Sequence, residues 1–317
     1  MVVPARVTSI AIVGIGKITE DQHLPVIAKN PRFNLVALVS QRGVTRPGVA
    51  GFKTVDDLLR SGLAVDAIAI CTPPGVRHAI ALEALAAGKH LLLEKPTTAT
   101  VTESADLAAA VAARGVVGFA TWHSQYNAAV EEAKRLLEGQ RIARLHVEWK
   151  EDVRRWHPGQ DWVWEPSGFG VFDPTINAFS ILTRILPAPL FVTESELVTP
   201  SNRETPIAAR IRFRSPAAAS GAPLTADVDW RQTGPQSWNI DIETEGGLKL
   251  ALRDGGSRLA VNGEPRTAKP LEEYERIYER FAELLDRGES DMDYAPLRLV
   301  ADAFLMGRRV ATDAFHW

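Results

Sequence analysis

Cysteine is almost absent. Cys71 is the one thiol in 317 residues, which excludes an internal disulfide framework and a cysteine-built zinc site. The seven histidines are scattered, with no pair at ligand spacing flanked by carboxylates, so no metal site is expected. No apolar run approaches the roughly 20 residues that a membrane-spanning helix needs. No small-residue cleavage site follows the apolar start, which reads as a first strand rather than a leader. Net charge is only −3, so neither nucleic acid nor an anionic membrane surface is an expected partner. Internal repeats and low-complexity tracts are also missing. What these absences leave is a cytoplasmic globular protein.

What is present is material for a core. Hydrophobic residues make up 45% and charged residues 24%, an ordinary globular balance. A chain this long exceeds what one core organises, so two domains are expected, 1–123 and 124–317. In the first, apolar runs at 9–13, 34–39, 67–70, 90–93 and 116–120 read as strands. Helical patterns at 23–29, 55–60, 76–87 and 101–113 lie between them. Alternation of this kind gives an α/β fold, a parallel sheet covered on both faces, the doubly wound Rossmann type that binds nucleotides. After 123 the rhythm changes. A helix at 128–137 and a strand at 144–150 precede a loop dense in tryptophan, proline and glycine, then a helix at 172–185. Strands follow at 191–198, 207–213, 225–231, 238–245 and 248–252, and two helices, 271–286 and 296–312, close the chain. Arg210, Arg212 and Arg214 interleave with Ile211 and Phe213, the period of a half-exposed antiparallel strand. The second domain is therefore expected to be α+β, with an open, mostly antiparallel sheet and helices on one face. Its last helix is a candidate to pack back on the first domain. A ligand is expected between this sheet and the carboxyl ends of the first.

The first strand runs into Gly14-Ile15-Gly16-Lys17-Ile18-Thr19. The first glycine permits a tight strand-to-helix turn. The second lets a pyrophosphate approach bare backbone at a helix N-terminus, where unpaired N–H groups favour anions. Thr19 stands where the fingerprint has a third glycine or alanine, so the motif alone is weak and a plain glycine turn explains it about as well. The strand–helix–strand context favours the dinucleotide. NAD sites place a carboxylate at the end of the second strand. Here that end reads Val39-Ser40-Gln41-Arg42, with a hydroxyl and a guanidinium suited to a 2′-phosphate. NADP is the expected cofactor, with NAD the weaker alternative.

Further along stand Thr72-Pro73-Pro74 with His78, Gly88-Lys89-His90, and Glu94-Lys95-Pro96. In order and spacing they resemble the glucose–fructose oxidoreductase/inositol dehydrogenase (GFO/IDH/MocA) family. Lys95 is expected just past the carboxyl end of a central strand, where such sheets place reactive groups, and Pro96 keeps its backbone extended. The resemblance implies that Lys95 contacts the oxygen being oxidised. It also implies that Thr72, Pro73, Pro74 and His78 line the nicotinamide side, with Glu94 nearby. The segments 149–160 and 170–178 resemble the branch of the family that oxidises L-arabinose and D-galactose at C1. Inositol dehydrogenases carry Asp and then His at the positions of Asp173 and Asn177. Asparagine shuttles no proton, so acid–base work falls to Asp173, Lys95 or a nearby histidine.

Asp173 and Asn177 are four apart on an expected helix and share one face. They are read, with Lys95, as the groups around the reacting hydroxyl, Lys95 and Asp173 forming a coupled acid–base pair. A carboxylate at a helix N-terminus is also favoured by the dipole alone. Sugar recognition needs planar hydrogen-bonding groups and apolar faces. Glu151, Trp156 and His157 supply them, with Trp230 and His123 as further candidates, while Trp162 and Trp164 read as packing anchors. The leading expectation is an NADP-dependent aldose 1-dehydrogenase that releases a lactone. Oxidation at another polyol position and a non-catalytic NADP sensor stand beside it. A homo-oligomer, a dimer by analogy, is the expected assembly.

Overall fold

The structure is a computed structural model that describes residues 6–266 and 273–317. Two compact units divide the chain. One comprises Met1–Trp122 with Glu273–Tyr294, the other His123–Glu272 with Ala295–Trp317.

The first unit opens with β1 (Thr8–Val13), followed by a π-helical turn, Thr19–His23, that runs into α1 (Leu24–Lys29). Then come β2 (Phe33–Val39), β3 (Ala50–Phe52), α2 (Val55–Arg60), β4 (Ala67–Ile70) and α3 (Pro74–Ala86). β5 (His90–Leu93), α4 (Val101–Arg114) and β6 (Gly118–Ala120) complete the run. The six strands form a wholly parallel sheet in the order β3-β2-β1-β4-β5-β6. The strand order reverses direction at β1, which is where this fold places its nucleotide. β5 is one strand in from the edge rather than central as expected. Ala11, Val13, Ile68, Ile70, Leu91 and Leu93 alternate onto one face and pack with Val55, Leu58, Leu85, Leu107 and Val111 of α2, α3 and α4. Thr54 and Thr100 start α2 and α4 with reciprocal capping boxes.

The second unit contains α5 (Val130–Leu137), β7 (Ile142–Lys150), α6 (Val153–Trp156), α7 (Phe172–Ile185), β8 (Phe191–Pro200), β9 (Ala208–Arg214) and β10 (Leu224–Asp229). β11 (Ser237–Thr244), β12 (Lys249–Arg253), β13 (Arg258–Val261) and β14 (Glu264–Arg266) follow. The chain then supplies α8 (Glu273–Arg287) to the first unit, and ends in the second with α9 (Ala295–Leu305) and β15 (Gly307–Thr312). The nine strands lie in the order β14-β13-β12-β11-β7-β10-β9-β8-β15. Pairing is antiparallel except for β10 with β7 and β15 with β8, so the sheet is mixed but mostly antiparallel. β9 alternates buried Ala209, Ile211 and Phe213 with exposed arginines, as its sequence implied. The exposed sheet face carries charge of both signs, with Glu194, Glu196, Arg210, Arg212, Asp227 and Arg308 around a shallow recess.

The closing elements differ from expectation. The helix expected over 296–312 stops at Leu305, and Gly307 begins a strand. A Cβ at Gly307 would fall 2.4 Å from a Leu197 methyl, so the bare backbone allows β15 to pair beside β8. The expected helix at 271–286 begins, within the described residues, at Glu273. It belongs to the first unit because its apolar face, Tyr274, Ile277, Tyr278 and Phe281, is buried there. Phe281 stacks between Phe33 and Phe119, and Tyr278 meets Phe33 edge-on. Phe281→Ala is expected to lower unfolding free energy by about 3–5 kcal/mol, read from urea denaturation.

Candidate active site

The cofactor end is built at the tip of β1. Gly14 has φ +91°, and a Cβ there would fall 2.8 Å from the Thr72 amide nitrogen, so glycine is required. Around Gly16 there is open space for backbone approach. Thr19 is fully buried and its hydroxyl donates to the Gly14 carbonyl at 2.7 Å. The residue that breaks the sequence fingerprint thus closes the turn. Lys17 pairs with Asp21 one helical turn on, and Ile18 is half-buried. Beyond β2, the Arg42 amide donates to the Ser40 hydroxyl at 3.3 Å, Gln41 is exposed, and the Arg42 guanidinium reaches back to the Ile15 carbonyl. A dinucleotide fits this set. Bare backbone and helix N–H groups follow β1, and the Arg42 guanidinium from the end of β2 reaches the same turn at the Ile15 carbonyl.

The reactive end lies at the tips of β4 and β5. Thr72, Pro73 and Pro74 lead from β4 into α3, with Pro74 at its first position, where the missing N–H costs nothing. Arg77, 2% exposed, donates to the carbonyls of Thr72, Glu94 and Pro96, tying both strand ends together. Lys95 is half-buried between them and precedes a cis proline. Beyond it, Thr97 and Thr98 both share hydrogen bonds with Ser104, each at 2.7 Å. His78 is placed differently from the expectation that it lines the nicotinamide side. Its Nε2 lies 2.8 Å from Asp106 on α4, because its position on α3 faces the neighbouring helix rather than the strand tips.

Behind Lys95 lies a buried polar cluster. Glu94, 4% exposed, accepts from the Lys95 amide at 3.0 Å and from the Tyr274 hydroxyl at 2.8 Å. His23 is fully buried, with Nε2 at 2.9 Å from Glu94 and Nδ1 at 2.8 Å from the Tyr278 hydroxyl. Burial disfavours charge on His23, but Cys71, Tyr278 and Glu94 outweigh it and raise its pKa well above the ordinary value. Burial likewise pushes Tyr274 well up, helped by Glu94, and Tyr278 up to about 12.

In the second unit Asp173, His157, Trp230, Glu151 and Trp156 form one contact chain by way of Trp238. Asp173, 5% exposed, sits in the first turn of α7, with Asn177 one turn on. His157 Nε2 lies 3.5 Å from the Asp173 carboxylate, and its ring packs on Trp230 at 5.2 Å. Trp230 has no exposed surface and cannot offer a stacking face as expected. It is wedged between His157 and Trp164 and donates its indole N–H to Glu151 at 3.2 Å. The second Glu151 oxygen accepts from Trp238 at 2.8 Å. Trp238 in turn stacks on Trp149 and meets Trp156 at 5.0 Å. Trp164 is buried and Trp162 half-buried, and a Cβ at Gly168 would strike the backbone between them, so this loop is packed as anchors. His123 opens a short 3-10 turn and lies 3.3 Å from the Ser124 hydroxyl.

Comparison with known proteins identifies the family. The model of the GFO/IDH/MocA oxidoreductase family, with its NAD-binding Rossmann fold, matches residues 8–121. Galactose 1-dehydrogenase of Pseudomonas fluorescens is 42% identical over 312 residues, covering 97% of this chain and 98% of that one. The chain belongs to the GFO/IDH/MocA oxidoreductase family. Among solved structures, D-galactose-1-dehydrogenase from Rhizobium etli superposes with a TM-score of 0.91 at 51% identity, covering 98% of both chains. KijD10, a 3-ketoreductase from Actinomadura kijaniata in complex with NADP, shares the fold at a TM-score of 0.81 and 16% identity, over 97% of this chain and 100% of that one.

In this family member, sequence reasoning missed Arg77, His23, Tyr274 and Tyr278. Arg77 had a signal, a basic residue in the first turns of a mostly apolar helix that starts at a strand tip. The other three join residues 255 apart and had none. Groups whose pKa is raised on folding bind more protons folded than unfolded, so their stabilisation is full below the unfolded pKa and is lost as pH rises through the folded one. For Tyr278 that window runs from 10.0 to about 12. Stability is expected to fall across it, and Tyr278→Phe to flatten the fall by about 2–3 kcal/mol, read as urea midpoints against pH.

Proposed function

We propose that this family member oxidises C1 of an aldopyranose, D-galactose or L-arabinose, to the aldonolactone, with NADP the preferred acceptor. The observation that carries it is a lysine fixed at the rim of the nucleotide-binding sheet in a chain 42% identical, over nearly its whole length, to a galactose 1-dehydrogenase. The expected Asp173, His157, Glu151 and Trp156 are joined through Trp230 and Trp238 in the second unit, which supports a sugar as substrate.

The bound nicotinamide supplies the acceptor for the hydride that leaves C1. The chain's own task is to hold the C1 hydroxyl and take its proton as the carbonyl forms. In this reading the acid–base work belongs to Lys95 and Asp173. His157 lies within reach of Asp173 to orient it. Asn177 bonds a ring hydroxyl without competing for the proton. Glu151 has both oxygens held by indoles, which fixes the carboxylate beneath the ring cluster. Trp156 keeps an indole N–H that is buried with no protein acceptor among the described residues, a donor for a sugar oxygen.

D-Galactose and L-arabinose share ring stereochemistry and differ by a hydroxymethyl group at C5. Apolar contacts distinguish one carbon by about 1–3 kcal/mol, so both sugars are expected to turn over. The test is a panel of free aldoses with NADP and NAD, following reduced cofactor and identifying the lactone. Silence across all pentoses and hexoses would refute the reading. Lys95→Met is expected to lower kcat by about 10²- to 10⁴-fold with cofactor affinity kept, as for loss of an acid–base group. Arg42→Ala is expected to raise KM for NADP by about 10- to 100-fold, the worth of a charged hydrogen bond, and to leave NAD nearly unchanged. Equal losses for both cofactors would contradict a 2′-phosphate contact.

A further inference from the structure

We propose that His23, Glu94 and Tyr274 are positioning residues that tie Lys95 to the helix opened by the glycine turn, so that binding at that turn steadies the lysine. The inference rests on the reading of Lys95 as the reactive group. It concerns residues that contact neither sugar nor nicotinamide in that reading.

Glu94 precedes Lys95 in sequence and holds its amide, through a carboxylate buried behind the strand tip. A buried carboxylate is tolerated only when paired and hydrogen-bonded. Its partners come from two distant places. Tyr274 comes from α8, and His23 from the end of the π-helical turn Thr19–His23 that follows the glycine turn. A π turn inserts one residue relative to an α-helix and so changes which side chains face inward. Here it puts His23 wholly inside, with both ring nitrogens bonded, Nδ1 to Tyr278 and Nε2 to Glu94. Thr19, at the start of the same turn, bonds the Gly14 carbonyl. An unbroken set of contacts therefore runs from Gly14 through Thr19 and His23 to Glu94 and the Lys95 amide. All of it lies in the first unit. A shift of about 1 Å in a reacting group costs about 10²-fold in rate, so the lysine needs such support.

The test uses the full chain and two readouts. Hydrogen exchange at the peptide carrying Lys95 needs no sugar. In the wild type, NADP is expected to slow it at least about tenfold, and His23→Gln and Tyr274→Phe to abolish most of that protection while α4 peptides stay unchanged. In turnover, Tyr274→Phe is expected to lower kcat by about 10- to 100-fold with sugar KM and NADP affinity within about threefold. The isotope effect with C1-deuterated sugar should rise, because the chemical step becomes limiting. Glu94→Gln, which keeps an acceptor for the Lys95 amide, should lose less than Glu94→Ala. Unchanged exchange at Lys95 in both variants would overturn the assignment, as would a Tyr274→Phe enzyme with wild-type kcat per NADP-binding site. If His23→Gln does not fold, Tyr274→Phe, which removes one oxygen, decides alone. A wild type inert toward every aldose would sink the proposed reaction, while the exchange result would still judge this one.

Discussion

Two buried charges fix the backbone at the carboxyl rim of the parallel sheet, and the rest of the first unit's chemistry depends on them. Arg77 gathers three carbonyls, from Thr72, Glu94 and Pro96, and Glu94 holds the amide of Lys95. Loop backbone beyond a strand tip has lost its ladder partners and must find others. A guanidinium presents five donors in one fixed plane and so satisfies several carbonyls at once in a set geometry. The strand tips of β4 and β5 are thus held by side chains where the sheet no longer holds them.

The second unit applies the same principle with the roles reversed. There one carboxylate, Glu151, gathers two indole N–H groups, from Trp230 and Trp238, that lie 79 and 87 residues further along the chain. Indoles bring large apolar surface together with a single donor, so a buried carboxylate both satisfies them and fixes their ring planes. The outcome is a wall of rings, Trp149, Trp156, Trp230 and Trp238, with His157 and Asp173 at its margin.

Much of this was legible in the sequence, and unevenly so. The alternation of apolar runs read out the parallel sheet because fully buried strands leave no other pattern, as in Ala67–Ile70 and His90–Leu93. β3 and β14 were missed because three residues carry no period. The helix expected over 296–312 failed at Gly307, whose packing against Leu197 is a tertiary fact. Gly14 was legible because the tight turn after β1 needs its φ of +91°. Trp230 was misjudged because a strand residue's face depends on what covers the sheet, and here His157 and Trp164 do. The cluster behind Lys95 was invisible, since a histidine, a glutamate and two tyrosines meet only after the chain has folded.

That last point bears on how the site is made. Tyr274 and Tyr278 reach Glu94 and His23 from α8, which the chain synthesises only after most of the second unit. The same helix brings Phe281 to Phe33 and Phe119, covering the sheet face opposite α2, α3 and α4. Residues 1–122 alone would therefore expose an apolar sheet face and leave a buried-site carboxylate with one partner fewer. Both omissions are costly, the first in burial and the second in desolvation. The support beneath Lys95 is accordingly complete only when the late helix has docked, so the lysine's placement and the folding of the first unit are one event rather than two.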